Sequence, residues 1–541
     1  MEHGSSTGTR STSSRARGFA HHLTNLAGKP RGALLLFGLA LVVHGVESIG
    51  WQVRLGRDSQ SYLRAYSELF DWHATLPWLM LQRPPVAPFL VGGALDHLGG
   101  SGTEVAMAVL FAGSVVAWAY AAATFGRGAA VATATALLLL PGYGELFHEV
   151  SGDVVFAAAF AGWAPILVRA MARPSTARFA SVGLGVAVLT LIRPGNQVLV
   201  VTALVPLIFR VPWRRRLQLV AVTAVTAVLP LAGWAMLNGA RYDDRVVARG
   251  GNSTVPLFRA FVTDKIVEPG NGPASRRLAT LVERELLPLE PYRSHRITVQ
   301  KFFSSGDPRM HEDLVSLSDR SLGWETDYAL LGQVARESVR AQPRAYATGV
   351  AHDFWRSLTQ PLFGPTTKPS PPEAVAASPG APVDPDSRIP AANQGAYLGT
   401  PDHRIREVWT SPTEHGPVFE RPADAASFAA IGAEVARLAA VLPTHRRYPG
   451  FARWLDRSSR LYPPSLLWLL VGVVALVRRR VRYWVALIAP AVAAILVLAL
   501  TVLGLPFVGQ YGAPVSPAFL LLAMGGLLGA TSARAGTEQA S

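Results

Sequence analysis

Along most of this chain the apolar positions run unbroken and stop at short polar punctuation. Runs of membrane-crossing length lie at Ala33 to Ile49, Val105 to Phe125, Ala129 to Leu146, Val154 to Met171, Ala180 to Ile192, Gln197 to Phe209 and Leu217 to Leu237. After a long polar interval three more follow, at Leu466 to Val477, Tyr483 to Leu503 and Ala513 to Leu528. The first run carries no small-residue cleavage site and reads as a retained span rather than a removed signal peptide. The pattern predicts an all-α polytopic membrane protein of about ten transmembrane helices, with a large external mixed and helical region between spans seven and eight.

The polar intervals set the domain order. Residues 1–31 are rich in Ser and Arg without apolar periodicity and read as a disordered cytoplasmic tail. Residues 32–237 form a transmembrane core whose first external loop spans 50–102; 238–462 is external; 463–530 returns to the membrane; and 531–541 is a second tail. Within the external region, the stretch to Leu358 mixes charges, aromatics and short apolar runs, with a helical pattern broken at Pro343. Residues 360–402 are dense in Pro, Ala and Ser and read as an extended linker, and 423–441 regain helical periodicity.

Composition agrees with a membrane protein: mean hydropathy is +0.26, half the residues are apolar and only 16% are charged. A net charge of +15 would suit nucleic acid if it formed a stripe, but the Arg residues fall in short clusters between apolar runs, so no nucleic-acid partner is expected. With a cytoplasmic N-terminus, the clusters at 126–128, 169–178, 210–216 and 478–482 and the tail with Arg534 all lie inside. The expected placement is therefore a multi-pass protein of the cell membrane with both termini cytoplasmic. The absence of cysteine excludes disulfides, thiolate nucleophiles and Cys-type zinc sites.

The same alternation gathers the polar groups of the loops on the outer face: Asp58, Tyr62, Gln82 and Arg83, then His148, Glu149 and Asp153, then Arg193, Gln510 and Tyr511. Moving a sugar from a polyprenyl-phosphate donor to an acceptor needs few parts. A carboxylate takes the acceptor hydroxyl's proton, a cation holds the donor phosphate, and a groove opens to lipid. Asp58 supplies the base in this scheme, and Arg83 a planar fork for phosphate oxygens. Arg193, the single cation of its loop, is a second phosphate candidate. Glu149 and Asp153, one helical turn apart and facing the same side, are candidates to assist the acceptor or hold a divalent metal, with His148 beside them.

Each has a plainer reading. Asp58 could simply pair with Arg54 or Arg57, Arg83 could snorkel to headgroups, Arg193 could anchor at the interface, and His148 could be packing. Trp51, Trp72 and Trp78 fit an aromatic belt. Trp324, Asp327, Tyr328, His352 and Asp353 read as structural before they read as an acceptor groove.

The motifs, in order and on one face, resemble the GT-C superfamily of integral-membrane glycosyltransferases, in particular the branch of protein O-mannosyltransferases and lipid A aminoarabinose transferases. In that branch an acid in the first external loop precedes a Tyr by four positions, and a basic-Pro-Pro element opens an amphipathic helix. Here these stand as "DSQSY" (Asp58 to Tyr62) and "QRPPVAPFL" (Gln82 to Leu90). Weaker likenesses are "FHEVSGDVVFAAAFAG", "LTLIRPGN" and "GQYGAPVSPAFLLL". The resemblance implies Asp58 as catalytic base and Arg83 as donor-phosphate ligand, with Tyr62, Gln82 and Tyr511 in support. Ser59, Gln82 and Gln510 depart from the pattern, where relatives carry a second acid, a metal-liganding Glu and an Arg. These departures leave metal dependence and the donor's sugar open. The implied partners are a polyprenyl-phosphate sugar, a lipid, glycan or protein acceptor, and membrane lipids. The alternative is a transporter or flippase of lipid-linked saccharides, which has no use for a single base at the outer mouth.

Overall fold

The computed structural model describes residues 30–56, 58–71, 80–288, 292–293, 296–323, 326–360, 405–409, 415–419, 422–442, 448–479, 481, 483–506 and 511–530. The apolar runs all lie on helical elements. In chain order these are α1 (Pro30–Glu47), strand β1 (Arg54–Leu55), α2 (Ser59–Ser67), α3 (Val86–Ala122), α4 (Arg127–Leu138), α5 (Pro141–Leu146), strand β2 (Glu149–Val150), α6 (Gly152–Ala172) and α7 (Thr176–Ile192). A 3-10 helix (Pro194–Ile208) and α8 (Trp213–Tyr242) complete the first group. Among the described residues, five segments are long and apolar enough to cross a membrane: Val86–Ala122, Gly152–Ala172, Trp213–Tyr242, Pro449–Arg478 and Trp484–Gly504. The shorter ones include the 15-residue 3-10 helix, which at about 2 Å per residue still extends about 30 Å.

Two elements differ from their sequence expectation. The run 129–146 is two helices, because Pro141 lacks the N–H that would continue the first and instead starts the second at its first position. The second span begins far earlier than Val105: α3 starts at Val86, directly after Pro84 and Pro85, and continues for 37 residues with a break at Gly99 (φ 64°).

The helix ends sort into two groups. At one end Arg215 Nη1 donates to Thr176 Oγ1 at 2.9 Å, the Ala530 N–H donates to the Phe125 carbonyl at 2.9 Å, and Arg169 lies over the Tyr120 ring. The basic clusters around 127, 169–178 and 210–216 share that end. At the other end β1 and β2 form a parallel bridge (Arg54 opposite Glu149, Leu55 opposite Val150), and the start of α6 meets the end of α7. An alternating polytopic chain makes this arrangement.

Beyond α8 come α9 (Thr254–Phe258), continued as a π-helical turn Arg259–Thr263, then α10 (Pro273–Leu281), α11 (Val299–Ser305), α12 (Pro308–Leu322), α13 (Ala329–Ala341) and α14 (Pro343–Thr359). A core of their own, built around Leu257, Phe261, Leu278, Phe302, Leu314 and Leu331, holds them together. Strands β3 (Ile405–Trp409) and β4 (His415–Phe419) pair antiparallel, and α15 (Pro422–Ala440), α16 (Pro449–Leu461), α17 (Ser465–Arg478), α18 (Trp484–Gly504) and α19 (Ser516–Leu528) follow. Of the linker 360–402, all but Gln360 lies outside the described residues.

Helices α9 to α14 dock on the apolar bundle through Arg259. It is fully buried and donates to Asp264 at 3.0 Å, to Asp353 at 3.0 Å and to the carbonyls of Val502 and Leu505 at the end of α18. The Tyr346 hydroxyl adds a bond to the Leu503 carbonyl at 2.9 Å. Helix α15 lies against α2 and α3: Arg437 bonds Asp96 of α3 at 2.5 Å, and Arg64 of α2 faces the Phe428 ring.

Candidate active site

At the end of the bundle away from the basic clusters, the chain leaves β1 through Gly56 and turns into α2. Asp58 takes the turning position with φ 60°, a left-handed conformation that Asp tolerates better than most residues. Its side chain remains about half exposed at 47%, and Arg83 Nη2 stands 3.7 Å from Asp58 Oδ2. Arg83 is further fixed by donating from Nε to Ser61 Oγ at 3.1 Å and by lying 4.9 Å over the Tyr62 ring. These contacts replace headgroup snorkelling as the reason for its position. Arg54 turns away to Glu149 and Glu145, so the expected alternative pairing of Asp58 with Arg54 is not the one that forms; Arg57 lies outside the described residues.

Tyr62 is buried, and its hydroxyl end fills the space over Gly152, where a Cβ would fall 2.4 Å from the oxygen. Glycine therefore permits α6 to begin directly against α2. One residue on, Asp153 Oδ1 accepts from Arg193 Nη1 at 2.7 Å. The Arg193 guanidinium faces the rings of Tyr511 at 5.2 Å and Phe156 at 5.8 Å. Burial opposes its charge, but Asp153, with Tyr62, Tyr511 and Asp58 behind it, holds the group above its usual range. Asp58, Arg83, Asp153 and Arg193 thus form two ion pairs at one mouth, separated by Tyr62. Gln82 lies partly buried beside Arg83, and Gln510 falls outside the described residues.

Glu149 and Asp153 do not share a helix face. Glu149 belongs to β2 and is drawn to Arg54 (2.7 Å), whereas Asp153 opens α6 and pairs with Arg193. Burial raises the Glu149 carboxyl above its ordinary range, and Arg54 pulls it back. Among the described residues no three acid or histidine side chains converge to hold a metal ion. His148 is wholly buried, stacked on His44 at 4.1 Å with its edge towards Trp51 and its Nε2 3.8 Å from Glu47 Oε2.

The aromatic-belt expectation for Trp51 is corrected. It is fully buried against Ala452 and Leu455 of α16, with its indole N–H donating to Asp456 at 2.9 Å. A chain segment folding back over the loop provides the partner that local sequence does not show. Trp72, Trp78 and Trp324 lie outside the described residues. Asp353 is the Arg259 partner, Asp327 accepts from the Gly250 N–H at 3.2 Å, and Tyr328 lies under Arg249 at 4.9 Å. Of that group only His352 is exposed. Arg54, Glu145, Glu47 and Arg259 owe their roles to partners remote in the chain, which sequence reading does not reach. Glu47 and Glu145 close apolar runs, which was the available signal.

Residues 82–235, starting beside Arg83, match the family described as dolichyl-phosphate-mannose-protein mannosyltransferase. The match covers less than a third of the chain; it takes in Arg83, Glu149, Asp153 and Arg193 but not Asp58, and it agrees with the resemblance of the motifs. Two solved structures are similar to the chain. The crystal structure of ArnT from Cupriavidus metallidurans bound to undecaprenyl phosphate shares 16% identity, covering 90% of this chain and 77% of that one with a TM-score of 0.32. The apo ArnT structure shares 16%, covering 92% and 77% with a TM-score of 0.31. No curated protein matches.

Proposed function

We propose that this protein is a membrane glycosyltransferase that moves a sugar from a polyprenyl-phosphate donor to an acceptor hydroxyl on the outer face of the membrane. The observation that carries the reading is the placement of Asp58, half exposed, 3.7 Å from Arg83 at the same mouth as Arg193. A base and two forked cations suit an acceptor hydroxyl and a phosphate leaving group.

In this reaction Asp58 takes the acceptor's proton as its oxygen bonds the anomeric carbon. The carbon–oxygen bond to the phosphate breaks with its electron pair, and the polyprenyl phosphate leaves as an anion held by Arg83 and Arg193. Tyr62 sits beneath Arg83 and keeps its guanidinium plane aimed across the mouth. Asp153 orients Arg193 through the 2.7 Å pair. Glu149, buried and bound to Arg54, is not available as the base.

The test is transfer by the purified full chain from polyprenyl-phosphate sugars, comparing wild type, Asp58→Asn and Glu149→Gln at matched folded protein. Asp58→Asn keeps size and polarity but removes basicity, and turnover should fall by about 10²- to 10⁴-fold. Wild-type turnover by Asp58→Asn would end the assignment of the base. Transport of a lipid-linked saccharide without transfer would move the protein to the flippase class.

A further inference from the structure

The left-handed turn that presents Asp58 is held by groups that no part of the proposed reaction uses. Arg54 donates to Glu149 Oε1 from Nη2 at 2.7 Å and from Nε at 3.2 Å, and to Glu145 Oε1 at 3.1 Å. Both carboxylates are buried, with side-chain exposures of 3% and 1%. Beside this clamp the backbone forms the β1–β2 bridge: the Arg54 N–H donates to the His148 carbonyl at 3.0 Å and the Gly56 N–H to the Val150 carbonyl at 3.2 Å. Ser59 completes the closure by sharing its hydroxyl between the carbonyls of Gly56 (2.7 Å) and Val150 (2.5 Å). Gly56 has no room for a side chain, since a Cβ would fall 2.8 Å from Ser151 Cβ.

Asp58 is therefore bracketed. Four residues before it is the Arg54 clamp, one residue after it is the Ser59 bond, and both tie to the segment 145–150. That segment leads within three residues to Asp153, the partner of Arg193. From this geometry we infer that Arg54, Glu145, Glu149 and Ser59 are positioning residues, which set Asp58 and Asp153 in a fixed spacing across the mouth. The two-residue bridge is too short to stabilise a sheet. Its buried charges are costly unless their geometry is specified, which fits a role in alignment.

The kinetic arm of the test rests on Asp58 as base; the spectroscopic arm does not. Because the chain has no cysteine, Gln60→Cys gives one labelling site on the exposed first turn of α2. A nitroxide there should report an ordered turn in the otherwise wild-type chain and a mobile component in Arg54→Met, with Arg54→Lys recovering part of the order. Turnover by Arg54→Met should fall by roughly 10²-fold, carried on kcat with donor KM little changed, as for a misplaced base. The double variant Arg54→Met/Asp58→Asn should be no slower than Asp58→Asn alone, since both act through one group.

If Arg54→Met fails to fold, Ser59→Ala, which loses only a hydroxyl, should produce the same mobile component and a smaller loss of kcat. Unchanged label order in the folded variants overturns the inference. So does wild-type kcat in Arg54→Met while Asp58→Asn is inactive, or additive losses in the double variant. Absence of transfer by the wild type with every donor counts against Asp58 as base, and the label then decides the clamp by itself.

Discussion

A guanidinium held by three unlike contacts tolerates little substitution. Arg83 combines an ion pair with Asp58, a hydrogen bond to Ser61 and a face-on contact with Tyr62. Arg83→Lys keeps the charge but loses the fork and the stacking plane, so it should recover only part of the donor use lost in Arg83→Ala. Donor KM measured in both variants checks this; equal recovery by lysine would reduce Arg83 to a point charge. Asp58, Tyr62, Arg83 and Arg193 stand out in the sequence through their order and shared face, and the fold brings them close to one another. Arg54 and Glu149 were visible in sequence but not their pairing. A contact spanning 95 residues leaves no local pattern, and the helical reading of Glu149 with Asp153 missed the strand that interrupts it.

Among elements, helices α9 to α14 depend on one buried charge. Arg259 is the junction of the π-turn after α9, helix α14 and the end of α18. Arg259→Met would leave Asp264 and Asp353 buried without their cation. Breaking such a pair typically costs about 3–5 kcal/mol, so the variant should lose its outer domain to proteolysis at temperatures where wild type resists. Limited proteolysis against temperature measures this, and equal protection would show that the core around Phe261 and Leu331 suffices. Helix positions were readable from apolar length alone. Their ends were less so: Pro141 splits a run that hydropathy joins, and α3 extends upstream through the polar stretch around Asp96 and His97, which hydropathy leaves out.

At the scale of the molecule, the sorting of helix ends predicts opposite exposure for two fusions. A reporter after Asp402 should be accessible outside the cell and one after Arg215 should not. A cytoplasmic Asp402 fusion would reverse the face on which the site works. The long helix α3 carries a further consequence. Arg83 stands two prolines ahead of it, so its aim is set by helical phase, whereas Asp58 is aimed by strand register. Each residue added to a helix rotates what precedes it by about 100°. One residue inserted between Val86 and Leu98 would swing the guanidinium off Tyr62 while leaving the Asp58 turn untouched. The same insertion beside Gly99, where the helix is already broken, would be absorbed. The two halves of the mouth thus keep time by different clocks, and Gly99 is where the chain can gain length without losing their alignment.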